Sequence, residues 1–379
     1  MKLIWRILFL IFVIQASAAT CQQVTCEEPS RYVRVAVFQE ERSLRVKLNA
    51  PFEITDSSGS MILKGDSLKT TVIAQKDRIV LAGESFKVST LIIRVDSPSV
   101  ISVNDRLFRG QIQFIRGKKD TLIIINLIDL EDYVKGILYH EVSHYWPMEA
   151  LMAQAIVSRT YALYQMEENK AKDYDVTSDI YSQVYGGRTS ERYRTNRAVE
   201  QTKGKILNFE GKVFPTYFSA TCAGHTERSG ELWKIDMTPL KGVVCGFCKD
   251  SPHFRWHYVL SLEEIQEKLS QGGIQTGRIK DLVILERNES GRVKGLKIIT
   301  ADGEQAIAAK DFRSMIGVNI IRSTRFNVSV INEDAVFEGA GWGHGVGLCQ
   351  WGAYFMAKQG RTHKEILTYY YPGSQMTND

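Results

Sequence analysis

Residues His140-Glu141-Val142-Ser143-His144 spell H-E-x-x-H. On an unbroken helix that spacing sets two imidazoles on one face for a zinc ion, with the glutamate as general base. Pro147 follows three residues after His144 and disfavours helical geometry at Trp146. No third histidine stands at the interval that metzincins use. Glu141 has a second reading, because it lies three and four residues beyond Leu138 and Ile137 and so continues an apolar helical stripe. A carboxyl facing a core or cleft wall is desolvated, which raises its pKa toward the range of a general acid at neutral pH. Against this stands an ion pair with Arg159, on the apolar stripe of the next helix, which would lower that pKa. The two helices alone leave these opposing effects balanced.

Two further constellations carry chemistry. Cys222-Ala223-Gly224-His225 and Cys245-Gly246-Phe247-Cys248 are two ligand pairs, each with two residues between, the spacing of a structural zinc site. Cys222, Cys245 and Cys248 fit a metal, a disulfide or free thiols, and His225 fits either this cluster or a substrate cleft. From Gly339 to Gly347 glycine recurs at every second position. The order is neither G-x-G-x-x-G nor a P-loop, which argues against nucleotide binding. Alternate glycines let backbone approach a ligand closely, or pack a tight turn. Trp342 beside a groove would suit stacking on a sugar ring, with His344 next to it.

These residues need a scaffold, and the chain pattern supplies one of α+β class. Short apolar or alternating stretches between turn signals predict a β-rich region over residues 21–126, for example Val33 to Val37, Leu91 to Val95 and Leu122 to Ile125. The period then becomes helical: Leu130, Val134, Ile137 and Leu138 predict one helix, and Leu151 to Leu163, entered at Pro147, predict the next. These two adjacent helices would carry the site, in a mixed core over residues 127–254 and 331–379. Residues 255–330 read as a small inserted α/β unit, with an amphipathic helix at Leu262 to Leu269 and a hairpin turning at Glu289 to Arg292. A last helix is expected from about Gln350 to Gln359.

Lys2 and Arg6, the apolar run Ile7 to Ile14 and Ala16-Ser17-Ala18 have the layout of a secretory signal peptide over residues 1–20. Export to the periplasm or cell envelope is therefore expected, soluble or anchored through an uncleaved signal or a lipidated Cys21. A composition 44% hydrophobic and 24% charged is that of a globular chain. The net charge of +5, without a Lys/Arg run, gives a nucleic-acid partner no support.

Four stretches in order give the chain a resemblance to the SpoIID/LytB family, from about Leu130 onward. They are Glu141 with Trp146 to Ala162, Gln183-Val184-Tyr185-Gly186-Gly187, Cys222 to Glu227, and Gly343 to Gly347 with Gln350-Trp351-Gly352-Ala353. The resemblance implies a lytic transglycosylase that cuts between N-acetylmuramic acid and N-acetylglucosamine in peptidoglycan glycan strands stripped of stem peptides by an amidase. It puts the catalytic acid on Glu141 and a functional arginine on Arg159, with Gln183, Tyr185, His225, Trp342, His344 and Gln350 lining the substrate site, and it asks for no catalytic cofactor. The alternative it implies is a non-catalytic enhancer of an N-acetylmuramoyl-L-alanine amidase, and the bare H-E-x-x-H match implies, as a second alternative, a zinc hydrolase. Where some members carry a metal-binding His and Cys, this chain has Tyr181 and Ser182, which moves any structural zinc to Cys222, Cys245 and Cys248. Val142-Ser143 replaces a common Met-Pro, and Leu348-Cys349 a common Met-Ser.

Overall fold

A computed structural model describes residues 31–179 and 182–379. The expected signal peptide, Cys21 and Tyr181 lie outside the described residues. Among the described residues no helix is long and apolar enough to cross a membrane.

The N-terminal part forms strands because its residues alternate. In Ser43–Leu48 every second side chain, Leu44, Val46 and Leu48, is buried. Strand Tyr32–Glu41 pairs antiparallel with Leu122–Asp129 in a seven-stranded sheet, and Ser43–Leu48 lies within a six-stranded one. The inward residues of both sheets share one apolar cluster.

Asp129 ends its strand and caps helix α1 (Leu130–Glu141), its carboxylate accepting from the N–H groups of Glu131 and Asp132. The helix stops at Glu141, and Val142 is already extended. Helix α2 (Met148–Glu168) begins after Pro147, and every residue from Ala150 to Thr160 is buried. A helix covered all round belongs in the interior rather than on a face, and α2 is the hub of the molecule. Its Leu151 and Met152 join the N-terminal cluster with α1, while Ala153, Ile156 and Val157 join a second cluster with residues 207–371. The β-rich region and α1 thus share one core, and residues 31–379 form a single unit.

Helix α3 (Tyr193–Gln201) leans on both α1 and α2. The insert carries α4 (Leu262–Gln271), capped by Ser261, and α5 (Ala309–Ile316) around its own core. Strand Arg255–Ser261 pairs along its whole length with Asp334–Ala340. Helices α6 (Gln350–Lys358) and α7 (His363–Tyr370) pack against α2, the second with a Thr362/Glu365 capping box, and a strand, Gln375–Asn378, follows them.

Candidate active site

The C-terminal end of α1 opens on a cavity of about 460 Å³. Glu141 lines it together with Tyr161 from α2, Ser182 and Val184, the segment Tyr217 to Ala220, Trp233, Trp342 to His344, and Gln350. Among the described residues that line it, Glu141 is the one carboxylate.

Two chain segments build the far wall. Phe218–Ser219 pairs parallel with Leu348–Cys349, and Thr221 bridges Trp342. The glycines of residues 339–349 make this contact possible. Gly347 has φ +72°, and a Cβ there would stand 2.0 Å from the carbonyl oxygen of Tyr217. Gly345, at φ +86°, lies against the guanidinium of buried Arg292. Of the two readings of this glycine run, the tight turn accounts for these two positions: they admit the protein's own backbone and Arg292.

The wall is aromatic. Tyr217 and Trp233 stack at 4.2 Å, and His344 meets both edge-on. The His344 Nδ1 accepts from the N–H of Val346 at 3.0 Å. Burial, then the charges of Arg313 and Arg292, pull its pKa down to about 3, so the ring is neutral. Ser219 is buried, lines the cavity, and its hydroxyl has no hydrogen-bond partner in the protein.

Glu141 keeps partial exposure as a residue, but protein surrounds its carboxyl group. Burial pushes the pKa up to about 7, against a smaller opposing effect from the N–H of Val184. No cation contributes to that shift. The side-chain amide of Gln350 donates to the backbone carbonyl of Glu141 at 3.1 Å and to Gln154 at 3.3 Å, tying the start of α6 to the end of α1.

Of the residues the sequence proposed, the structure brings Glu141, Trp342, His344 and Gln350 to one cavity. Arg159 is elsewhere. Its guanidinium is fully buried and binds Glu131 through two bonds of 2.8 and 2.7 Å, with further bonds to the carbonyls of Lys205 and Val199. Glu131 is in the first turn of α1, ten residues and so about 15 Å along the axis from Glu141. Of the two effects that the sequence left balanced, the ion pair with Arg159 does not form, because Arg159 faces the other end of α1.

Gln183 and Tyr185 do not line the cavity either. The Gln183 carboxamide accepts from the Tyr133 hydroxyl at 3.0 Å, and the Tyr185 hydroxyl donates to Asn126 at 2.7 Å, with the Tyr185 ring seated over Gly136. The Tyr185 side chain joins α1 to the N-terminal sheet, and the Gln183 side chain joins α1 to α2. His225 is outside the cavity lining, its Nδ1 paired at 2.6 Å with the carbonyl of Thr226.

The H-E-x-x-H reading fails on geometry, because α1 ends at Glu141 and His144 is not one helical turn above His140. His140 pairs with Ser190 at 2.5 Å, and His144 packs on Tyr139 and Tyr145. A different group does converge. Cys222, Cys245, Cys248 and Cys349 are all buried and unbridged, with their sulfurs within 4.8 Å of one another. Residues that sequence reasoning missed are Tyr161, Tyr217, Ser219, Trp233 and Cys349. Tyr217 and Ser219 stand just before the Cys222 motif, and Cys349 just before Gln350, so adjacency to a motif was the available signal.

Comparison with known proteins adds to this geometry. The sequence profile described as Stage II sporulation protein, SpoIID, matches residues 118–209, which hold α1, α2 and Glu141, and a domain of unknown function, DUF8618, matches residues 241–347. An uncharacterized protein of Brachyspira hyodysenteriae is 32% identical over 90% of this chain and 91% of its own length. The Bacillus subtilis protein named Stage II sporulation protein D is 30% identical over 66% of this chain and 75% of its own length. The B. subtilis protein named Amidase enhancer is 27% identical over 65% of this chain, but over only 40% of its own length. With the profile resting on the two helices that present Glu141, and a 30% identical relative matched over three quarters of its length, the chain is a member of the SpoIID family.

Proposed function

We propose that this protein is an exported lytic transglycosylase that cleaves the bond from N-acetylmuramic acid to N-acetylglucosamine in peptidoglycan glycan strands, acting on strands an amidase has stripped of stem peptides. The observation that carries the reading is Glu141: a carboxyl of pKa about 7 at an aromatic cavity, with no cation against it. Near neutrality such a group is protonated in a large fraction of molecules and can give up its proton as a general acid. Ordinary glycosidases need two carboxylates, one of them a nucleophile or a base for water. Here the described lining offers one, which suits an intramolecular reaction.

In that reaction Glu141 protonates the glycosidic oxygen as the bond to the anomeric carbon breaks. The carboxylate left behind takes the proton from the sugar's own C6 hydroxyl, whose oxygen closes on the anomeric carbon as a 1,6-anhydro ring. No water is consumed, and Glu141 returns to its protonated form. The stacked Tyr217 and Trp233 offer a flat apolar surface for a sugar face. Neutral His344 keeps only a weakly acidic ring N–H, so it does not compete as the acid. The signal-peptide layout of residues 1–20 supports delivery to the periplasm or cell envelope.

The relative named Amidase enhancer supports a second reading, in which the same cavity binds glycan without cutting it and assists an amidase. Digestion of amidase-treated peptidoglycan, read by mass spectrometry, separates the two. Anhydro-ended sugars that vanish in Glu141→Gln are the expected result. Binding with intact strands would support the enhancer and overturn the transglycosylase.

A further inference from the structure

We infer that Cys222, Cys245, Cys248 and Cys349 together bind one zinc ion through four thiolates, and that the ion pins the wall of the cavity. Four sulfurs within 4.8 Å of one another enclose a single point. The Cys222 and Cys248 sulfurs are 3.7 Å apart. A tetrahedron with Zn–S bonds of ~2.3 Å has edges of ~3.8 Å, so this separation is already that of two ligands on one ion. An iron–sulfur cluster needs its cysteines spread around several irons and sulfides, and this cage is too small for that.

The surroundings are those of a charged site. Four thiolates and one divalent ion leave two negative charges, which a buried location tolerates only with compensation. The guanidinium of fully buried Arg292 donates to the carbonyl of Cys222 at 2.8 Å. The Cys222 N–H points at the Cys349 sulfur at 3.2 Å, the Gly352 N–H at the same sulfur at 3.4 Å, and the Tyr370 hydroxyl lies 3.1 Å from Cys245. Cys349 is also the N-cap of α6, where the helix dipole favours a thiolate. His225, the ligand that sequence spacing paired with Cys222, is replaced by Cys349, more than a hundred residues later in the chain.

With four protein ligands the ion has no open position, so its role is structural. It joins three separate segments. Cys222 follows the strand that carries Ser219, Cys245 and Cys248 close a loop, and Cys349 precedes Gln350. Tyr217, Ser219, His344 and Gln350 are thereby held by one cross-link. This inference stands apart from the transglycosylase reading, because metal content is measured without glycan.

The test is elemental analysis of the purified full chain, with cysteine alkylation and peptide mapping before and after chelation. The expected result is one zinc per chain, with the four cysteines alkylated only after the metal is stripped. Cobalt replacement should give the near-ultraviolet thiolate-to-cobalt bands and visible bands of a tetrahedral sulfur site. His225→Ala should keep the zinc, and Cys349→Ser should lose it. Since Cys349→Ser can also unfold the chain, the wild-type cobalt spectrum and alkylation pattern decide independently. A folded, metal-free chain whose four thiols are all reactive, or one with a disulfide among them, overturns the inference. So does a His225→Ala variant without zinc.

Discussion

Helix α1 holds a glutamate near each end, and the two differ in what the protein does with them. Glu131 in the first turn is held by the two-pronged guanidinium of Arg159 and by the N–H of Gly204. Glu141 in the last turn meets no cation, and burial alone lifts its pKa to about 7. A carboxylate whose oxygens are consumed inside the protein is scaffold. One left without a cation beside a cavity is a candidate for chemistry, and the fold bears the cost of burying it. Arg159, expected to act in the site, belongs to the first kind.

The largest effect that would break this contrast is on the scaffold side. Replacing Arg159 by Met leaves Glu131 facing the interior with a side chain only 17% exposed. Removing one member of such a pair costs about 3–5 kcal/mol. Urea denaturation should register that loss, while the folded fraction keeps its kcat/KM on amidase-treated glycan. Full stability with a collapsed kcat/KM would return Arg159 to the active site.

The opposite sign is expected at the other end. The folded-state pKa of Glu141 lies above its ordinary 4.5, so the folded chain binds its proton more tightly than the unfolded one. Stability from this group is therefore complete below pH 4.5 and declines as pH rises through 7. A shift from 4.5 to about 7 corresponds to about 3 kcal/mol at most. Glu141→Gln removes the charged form, so it should stabilise the protein at pH 8 by up to that amount and leave it unchanged at pH 4. Equal stability of variant and wild type at pH 8 would mean that an unseen partner satisfies the carboxylate.

How much of this was legible in the sequence depended on range. The α+β class, α1, α2, α4 and the apolar stripe leading to Glu141 are local patterns, and each is found in the structure. Trp342, His344 and Gln350 were marked by an unusual glycine run and a motif. What failed was pairing between distant residues. Nothing local says that Arg159 faces the first turn of α1 rather than the last, since both turns carry a glutamate. Cys349 was visible as a substitution at a motif, but its meeting with Cys222 depends on the parallel pairing of Phe218–Ser219 with Leu348–Cys349. Gln183 and Tyr185 stand in one motif, and nothing local distinguishes residues that join elements, as these side chains do, from residues that touch a ligand.

The smallest effect sharpens the contrast within the cavity itself. Thr216 and Thr221 are buried near Ser219, and each has a protein partner, the carbonyl of Val157 and the Ser251 hydroxyl. The Ser219 hydroxyl has none. By the distinction that separates Glu131 from Glu141, it should be reserved for substrate. Ser219→Ala removes no hydrogen bond within the protein, so the denaturation midpoint should hold or rise slightly. A lost bond to a bound sugar hydroxyl costs about 0.5–1.5 kcal/mol, or roughly two- to tenfold in kcat/KM. Thr216→Val should do the reverse, lowering stability by about 0.5–1.5 kcal/mol through its lost bond to the Val157 carbonyl, with kcat/KM unchanged. If both variants lose stability and neither loses activity, Ser219 is a packing residue, and an unsatisfied group beside this cavity does not by itself identify a contact with glycan.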